Sequence, residues 1–309
     1  MKIVFMGTPD FAVATLESLV KGGHEVIAAV TQPDKPKGRG KAVQLTPVKE
    51  KALEYEIPVY QPVKARDPEF IALLKEMNPD VIVVVAFGQL LPKAILDIPK
   101  YGCVNVHASL LPKYRGAAPI QWAVIDGEEV SGVTTMLMDE GLDTGDMLEK
   151  AEIVLDKKET GGSLFDRLSA LGGELILSTL EKMENGTITR TPQGEATTSY
   201  AKMLQKSMGE IDWSMEAVKI ERLIRGLNPW PSAYTSLKGK TVKIWSADVV
   251  AGEVSGNPGR VTATKDKLLV ECGKDFLSIT ELQLEGKKRM ETAAFLRGFT
   301  VEDQTVFGL

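Results

Sequence analysis

The sequence predicts an α/β fold built on a parallel sheet, followed by a small β-barrel. Strand and helix patterns alternate through roughly the first 190 residues, an order that builds a parallel sheet with helices on both faces. The run VIVVVAF at 81–87 is apolar and rich in β-branched residues, which is typical of a central strand covered on both faces. Beyond Ser207, short strand patterns separated by turn residues predict the barrel.

The first 77 residues contain the opening units of the sheet. Strand 2–6 ends at Gly7, and Thr8 is expected to cap the next helix because Pro9 suits its first position. Apolar residues at helical spacing continue to Gly22, which ends that helix. The remaining elements are, in chain order, strand 25–31, a Pro/Gly/Lys-rich loop from 32 to about 46, helix 47–55, strand 59–60 and helix 68–77.

The following segment completes the predicted sheet. Its elements are strand 81–87, strand 102–106, helix 117–125, a strand pair at 132–138 and 147–155, and a long helix at 160–184. Ligands bind such sheets at the carboxyl ends of the strands, so the loops after 87 and after 106 are candidate binding loops. We predict that this domain covers 1–188 and that 189–206 is a linker.

The predicted barrel domain covers 207–309. A helix pattern at 215–225 precedes strand patterns at 233–237, 241–250, 259–263, 267–271 and 276–282. Fourteen Lys and Arg balance fourteen Asp and Glu in this domain, so the net charge of −5 resides in the first 206 residues. A neutral domain needs its cations on one side to bind an anionic partner.

The composition excludes several classes of protein. Two cysteines and two histidines cannot supply a disulfide framework or a thiolate zinc site. The apolar run at 81–87 is too short to span a bilayer, and MKIVFMG lacks the apolar core of a secretion signal. Only Gly7 of the dinucleotide fingerprint G-x-G-x-x-G is present after the first strand. We expect a cytoplasmic protein without membrane association, and nothing in the sequence requires more than a monomer.

Two polar side chains, Asn105 and His107, end a predicted buried strand. Residues i and i+2 of a strand point to the same side, so we expect the two side chains to face one site together. An amide donor beside the side chain best suited to proton transfer near pH 7 favours acid–base chemistry. A histidine satisfied by a backbone carbonyl at the strand end is an equally good interpretation.

Two charged segments leave alternatives open. The acidic segment 138–146 could hold a metal through oxygen ligands, although its spacing fits no EF-hand loop. It is otherwise a solvated turn, or the source of a carboxylate that meets His107 in space. The basic run 35–41 has four cations and no acid, and is either a solvated loop or an arm that binds phosphate.

Together these motifs resemble the methionyl-tRNA formyltransferase family along the whole chain. NVHASLLPKYRG at 105–116, followed by AAPI, is similar to the signature N-x-H-x-S-L-L-P-x-[FYW]-R-G-A-x-P. The other similar segments are LDTG at 142–145, FMGTPDFA at 5–12, GRGK at 38–41 and GLNPWP at 226–231. Ala108 stands where the family most often has proline, which changes loop stiffness but removes no functional side chain.

The resemblance implies a Rossmann-like catalytic domain, a tRNA-binding barrel of OB type, and a defined reaction. The formyl group of 10-formyltetrahydrofolate passes to the α-amine of methionine on initiator tRNA. The family's catalytic Asn, His and Asp fall on Asn105, His107 and Asp143. Direct amine attack makes a tetrahedral intermediate whose oxygen Asn105 and His107 would stabilise, while Asp143 orients the imidazole. Neither a metal nor a covalent enzyme intermediate is required.

The resemblance also assigns binding residues. The folate co-substrate is expected at Phe87, Gly88, Gln89, Leu90, Leu91, Ser109, Leu110, Leu111, Pro112 and Asp139. The tRNA is expected at Lys37, Arg39, Gly40 and Lys41 of the basic run, and at Lys240, Lys243, Lys287 and Arg289 of the barrel. Ordinary core packing is an alternative explanation for the leucines.

Two other functions share part of this pattern. A folate-dependent formyltransferase acting on glycinamide ribonucleotide or an amino sugar would need Asn105, His107 and Asp143. It would not require the basic run and a whole second domain. A non-catalytic RNA-binding protein on the same fold would not need the three polar residues intact.

Overall fold

A computed structural model describes residues 1–37, 42–302 and 305–308 of the chain. The chain divides into two compact units. The first comprises Met1–Pro119, Val130–Val154 and Phe165–Ala201, and the second comprises Ile120–Glu129, Leu155–Leu164 and Lys202–Leu309. The domain limits 1–188, 189–206 and 207–309 stay a prediction.

The first unit is built on a seven-stranded sheet. The strands of this unit are β1 Lys2–Gly7, β2 Glu25–Val30, β3 Lys35–Lys37, β4 Ala42–Gln44, β5 Val59–Tyr60, β6 Val81–Val85, β7 Cys103–His107, β8 Val130–Leu137 and β9 Met147–Val154. Their order in the sheet is β5-β2-β1-β6-β7-β8-β9, with β3 and β4 forming a separate pair. The five strands from β5 to β7 in this order are parallel to one another. Strand β8 pairs antiparallel with β7, and β9 pairs antiparallel with β8. The predicted α/β class is confirmed.

The helices of the first unit are α1 Asp10–Lys21, α2 Pro47–Glu54, α3 Pro68–Met77, α4 Lys93–Leu96 and most of α6 Gly161–Glu184. Helix α5 Pro119–Asp126 belongs almost entirely to the second unit. Phe70 and Leu74 of α3 pack in one core cluster with Ile82 of β6. On α6, a Cβ at Gly172 would lie 2.9 Å from a methyl of Val106, so glycine lets this helix approach β7 closely. No helix of the described residues is long and apolar enough to cross a membrane.

Thr8 does not cap α1, and that expectation was wrong. The helix begins at Asp10 after Pro9, without a side-chain cap. The Thr8 hydroxyl instead accepts the Gln32 N–H at 3.1 Å and donates to the Phe87 carbonyl at 3.2 Å. These groups follow β1, β2 and β6, so one hydroxyl joins the loops at three neighbouring strand ends.

The structure has two short strands, β3 at the start of the basic run and β4 just after it, where the sequence predicted a continuous loop from 32 to 46. Backbone groups of β3 pair antiparallel with β4, with Lys37 opposite Ala42. Residues 38–41 lie between these strands, outside the described residues.

The second unit holds an antiparallel sheet. Its strands are β10 Ala233–Leu237, β11 Lys240–Val250, β12 Val261–Ala263, β13 Leu268–Glu271, β14 Phe276–Leu284 and β15 Met290–Glu291, and its further helices are α7 Ala217–Gly226 and α8 Thr292–Gly298. The order is β10-β11-β14-β13-β12, with β15 beside β14. The register of β11 against β14 shifts between Ile244 and Ala247, an irregularity that bends a strand. This sheet is consistent with the predicted OB-like barrel.

Candidate active site

Three polar side chains meet beside the central strand β7. Asn105 and His107 lie on β7 and are 9% and 6% exposed, whereas Asp143 comes from the loop between β8 and β9. Asn105 Nδ2 lies 3.5 Å from Asp143 Oδ1. His107 Nδ1 lies 3.8 Å from the same oxygen. The structure thus brings together the three residues to which the resemblance assigns catalysis.

Two features fix the position of Asp143: its backbone conformation and a hydrogen bond to one of its carboxylate oxygens. Its φ of +55° is in the left-handed region, which aspartate tolerates better than most residues. The Gly116 N–H donates to Asp143 Oδ2 at 2.9 Å. One oxygen therefore binds backbone, and the other faces Asn105 and His107.

The imidazole of His107 is fixed at its other nitrogen. Nε2 lies 3.0 Å from the Tyr114 carbonyl oxygen. Because a carbonyl only accepts, Nε2 carries a hydrogen and Nδ1 is the nitrogen that faces Asp143. The structural interpretation of His107 therefore holds for one nitrogen, which lies at a carbonyl, whereas a carboxylate approaches the other nitrogen and the acid–base role stays a prediction.

Within the loop after β7, two residues expected to bind folate serve the loop's own structure. Ser109 Oγ donates to the Lys113 carbonyl at 2.6 Å. The Leu111 N–H donates to Thr134 Oγ1 at 3.1 Å, and that hydroxyl donates to the Ser109 carbonyl at 2.7 Å. Ser109 and Leu111 are fully buried, whereas Leu110 and Pro112 are half-buried.

A cleft of about 470 Å³ lies beside the loop that follows β6. Its lining residues are Lys64, Ala65, Arg66, Gln89, Leu90, Leu91, Pro92 and Glu140. Leu90 is 67% exposed there, while Leu91 is buried. Gln89 accepts the Ala65 N–H at 2.7 Å and donates to the Val63 carbonyl at 3.3 Å. Lys64 and Arg66 were missed by the sequence reasoning, because no motif marks them.

The remaining residues expected to bind folate are spread over two loops. Phe87 is buried, and its carbonyl accepts from Thr8. Gly88 has a φ of +84°, a conformation that glycine adopts without strain. Asp139 Oδ1 accepts the Gly141 N–H at 3.0 Å and the Thr144 hydroxyl at 2.7 Å. Asp139 therefore organises the loop that carries Asp143.

Two buried polar residues near the site were given no role by the sequence. Arg115 and Gln193 are 7% and 9% exposed, and Arg115 Nε donates to Gln193 Oε1 at 2.9 Å. Arg115 belongs to the signature segment, but spacing alone does not show its partner. Gln193 lies in the predicted linker and carries no sequence signal.

The described residues at this site include neither a reactive thiol nor a group of metal ligands. Burial, with a smaller contribution from Asp97, raises the pKa of the Cys103 thiol to about 12. The thiol is therefore protonated at neutral pH and is a poor nucleophile. Among residues 1–37, 42–302 and 305–308, no three His, Cys, Asp or Glu side chains form a group that could hold a metal ion.

Of the four barrel cations assigned to tRNA, Lys240 and Lys243 lie on β11, whereas Lys287 and Arg289 lie in the turn between β14 and β15. We call these four residues the basic patch. Lys243 Nζ lies 5.6 Å from the ring centre of Trp245, and the Arg289 guanidinium lies 4.7 Å from it. Arg289 also pairs with Glu281, which raises the pKa of Arg289 despite partial burial.

The other residues assigned to tRNA belong to the basic run. Lys37 ends β3. Arg39, Gly40 and Lys41 lie outside the described residues.

Family models place the chain in a class of group-transfer proteins. A model described as formyl transferase matches residues 1–180. A second model, described as the C-terminal domain of formyl transferase, matches residues 203–300. The two matches cover both the unit with the Asn105–His107–Asp143 cluster and the antiparallel sheet.

Full-length relatives narrow that class. The methionyl-tRNA formyltransferase of Agathobacter rectalis is 58% identical over 310 residues, covering 100% of both chains. The methionyl-tRNA formyltransferase of Alkaliphilus oremlandii is 50% identical over 309 residues, again covering 100% of both. This chain belongs to the methionyl-tRNA formyltransferase family, and the resemblance drawn from its motifs is confirmed.

Solved structures at lower identity share the fold. An N-formyltransferase from Helicobacter canadensis, in complex with folinic acid and dTDP-3-aminofucose, has a TM-score of 0.66 at 18% identity, covering 94% of this chain and 100% of that one. HypX from Aquifex aeolicus, in complex with tetrahydrofolic acid, has a TM-score of 0.60 at 19% identity. The match covers 96% of this chain and 47% of HypX, so this chain spans about half of that protein.

Proposed function

We propose that this protein transfers the formyl group of 10-formyltetrahydrofolate to the α-amine of methionine on initiator tRNA. The observation that carries the proposal is the meeting of Asn105, His107 and Asp143 at one carboxylate oxygen. An amide, an imidazole and a carboxylate together suit acyl transfer to an amine. Relatives named for this reaction align with the whole chain at 50% identity or more.

Asn105 and His107 are the groups that stabilise charge. When the amine attacks the formyl carbon, negative charge grows on the formyl oxygen. Asn105 can donate a hydrogen bond to that oxygen through its amide, and a doubly protonated His107 can add a positive charge. Removing one such donor costs about 3 kcal/mol of transition-state stabilisation in acyl-transfer enzymes.

Asp143 and His107 are the groups that handle protons. The amine must lose a proton as its new C–N bond forms, and the folate nitrogen must gain one as its C–N bond breaks. Asp143, whose Oδ1 faces the site, is the proposed acceptor of the first proton, through water. His107 is the proposed donor of the second, with Asp143 orienting its ring.

The cleft beside the loop after β6 is the proposed folate site. Bound folate supplies the formyl carbon, which it carries on a ring-linked nitrogen. Leu90, Leu91 and Pro92 offer apolar contacts to the flat pterin ring. Loop backbone at Gly88 and Gln89 offers hydrogen-bonding groups to its polar edges. Ser109 and Leu111 are proposed to stabilise the loop after β7 beside this site, because their polar groups bind Lys113 and Thr134.

The barrel and the basic run are the proposed tRNA-binding parts. The basic patch places two cations on β11 and two in the turn after β14 of a neutral domain, and cationic side chains of this kind contact the phosphate backbone. Arg39 and Lys41 are proposed to reach the acceptor stem, where unpaired ends are favoured targets. We further propose that the protein works as a monomer in the cytoplasm, where translation begins.

The test offers the purified protein 10-formyltetrahydrofolate together with one of three amines. They are methionyl initiator tRNA, glycinamide ribonucleotide and a dTDP-linked amino sugar. We expect formylation of the tRNA alone, measured as acid-stable N-formylmethionine after deacylation. Formylation of a small amine alone would contradict the proposal. Absence of turnover with all three would favour a non-catalytic RNA-binding protein.

A further inference from the structure

We infer that Gln193 is a positioning residue for Asp143, an inference that rests on the catalytic role proposed above for Asp143. The Gln193 amide Nε2 donates to the Asp143 carbonyl at 2.8 Å and to the Gly145 carbonyl at 2.7 Å. Both contacts are to backbone. Gln193 therefore holds the loop that carries the carboxylate through backbone carbonyls and makes no hydrogen bond to the carboxylate itself.

Arg115 fixes the orientation of this amide. Arg115 Nε donates to Gln193 Oε1 at 2.9 Å, and Arg115 Nη2 donates to the Gly194 carbonyl at 2.8 Å. A guanidinium has only donors, so the amide oxygen must face Arg115 and the amide nitrogen must face the two carbonyls. We call Arg115 and Gln193 the clamp.

The clamp also connects to the loop that follows β7. Arg115 lies between Tyr114, whose carbonyl oxygen is 3.0 Å from His107 Nε2, and Gly116, whose N–H donates to the Asp143 carboxylate. One buried pair thus connects the backbone that holds His107 with the backbone that holds Asp143.

Asp143 needs such support because of its conformation. Its φ of +55° is unfavourable for a residue with a side chain. Two hydrogen bonds to the carbonyls at 143 and 145 hold the loop in that conformation. Small displacements of a catalytic group cost about 100-fold in rate. Loss of the clamp should therefore appear in turnover more than in substrate binding.

Kinetics of Gln193→Met test the inference, because methionine fills a similar volume without an amide. We expect kcat to fall by about tenfold to a hundredfold, with the KM for tRNA changed less than about twofold. Combined with Asp143→Asn, the same substitution should cost little more than Asp143→Asn alone, since residues acting through one group are not additive. Fully additive losses would overturn the inference.

A second variant removes the same donor while keeping the contact to Arg115. Gln193→Glu keeps an oxygen for Arg115 but replaces the donor that faces the two carbonyls. It should therefore show the same loss of kcat. Glu195→Met, at an exposed position two residues along the same segment, is the matched control and should leave kcat unchanged. Wild-type turnover in Gln193→Glu would contradict the positioning role.

Nuclear magnetic resonance gives a readout that does not depend on the reaction. The chain has two histidines, so His24→Gln leaves the ring nitrogens of His107 alone in the spectrum. At fixed pH, Gln193→Met and Gln193→Glu should shift those ¹⁵N signals, because the carboxylate moves relative to Nδ1. Unchanged signals would overturn the inference even if formylation is observed. If the signals shift but the wild-type protein does not formylate methionyl initiator tRNA, the proposed function is contradicted instead.

Discussion

At the scale of single residues, the geometry of the Asn105–His107–Asp143 cluster depends on which atom of each side chain already has a backbone partner. His107 has one nitrogen at a carbonyl and the other toward a carboxylate. Asp143 has one oxygen on a backbone N–H and the other toward two side chains. Each group is therefore held by one atom and left available at the other, which is what a preorganised site requires.

Asp143→Asn should separate the charge of this residue from its structural role. Asparagine tolerates positive φ and can still accept the Gly116 N–H, so the loop should keep its conformation. We expect kcat to fall by about 100-fold or more, since the amide cannot orient a charged imidazole or take up a proton. Thermal melting should change by less than about 2 °C, as measured by calorimetry.

Asp143→Ala is the comparison variant. It loses the charge and also places a residue poorly suited to positive φ in the same strained position. A clearly lower melting temperature is expected for alanine than for asparagine. Equal kcat for Asp143→Asn and the wild type would contradict a catalytic role for the carboxylate.

The sequence could predict part of this site and not the rest. Strand periodicity placed Asn105 and His107 on one side, because that relation is local. The approach of Asp143 depends on the path of an irregular loop and was only one of three interpretations of the acidic segment. Gln193 and Arg115 could not be paired at all, because their contact spans 78 positions.

At the scale of elements, local patterns were most informative where they were long. Helix α6 Gly161–Glu184 and the pair β8 and β9 lie close to their predicted limits, because many residues contribute to each periodic pattern. The pairing of β3 with β4 was not predicted, since three-residue strands leave almost no pattern. The Thr8 hydroxyl serves neighbouring strand ends instead of its own helix, which only tertiary structure reveals.

A polar cluster ties together three segments near β2. Asp34, which follows β2, accepts hydrogen bonds from Lys49 of α2 and from Gln61 after β5. Burial alone would raise the pKa of Asp34, but these hydrogen bonds and the Lys49 charge outweigh it and lower that pKa below its ordinary value of 3.8. The ionised carboxylate therefore stabilises the folded state.

Asp34→Asn should lower stability in a way that depends on pH. A lowered folded-state pKa gives stabilisation that is present above 3.8 and is lost as the pH falls through the folded-state value. We expect a lower melting temperature than wild type at pH 7 and a difference that closes as the pH approaches 3. Differential scanning calorimetry over that range checks the expectation.

Asp97→Asn is the matched control for this prediction. Asp97 pairs with Lys93, and the two side chains are 61% and 66% exposed. Exposed pairs contribute little to stability, so this variant should melt like the wild type at every pH. A pH-independent loss in Asp34→Asn would contradict the role assigned to its charge.

At the scale of the whole molecule, the net charge and the local charge differ. The chain carries a net charge of −5, yet four cations of the second unit lie on β11 and in the turn that follows β14. A net charge averages over the whole surface and does not report such a local group of cations. The sequence could supply the count but not the placement.

The combined variant Lys243→Ala, Arg289→Ala tests the basic patch. Each phosphate contact that is lost should reduce the slope of log Kd for tRNA against log salt by about one. We expect a slope lower by about two and weaker binding at low salt, with kcat at saturating tRNA unchanged. Lys265→Ala, in the exposed turn between β12 and β13, is the control. An equal change in the control would show a general charge effect.

The segment from Gln193 to Ala201 also bears on the order in which the loop after β7 acquires its contacts during synthesis. Thr198 Oγ1 accepts the N–H of Tyr114, 84 positions earlier, and the Ala201 N–H donates to the Arg115 carbonyl. The last strand of the parallel-sheet unit ends at Val154, well before these partners. Contacts between such distant positions close long loops and form late. A nascent chain can therefore assemble its sheet on the ribosome before residues 193–201 emerge to bind the loops that carry Tyr114, Arg115 and Asp143.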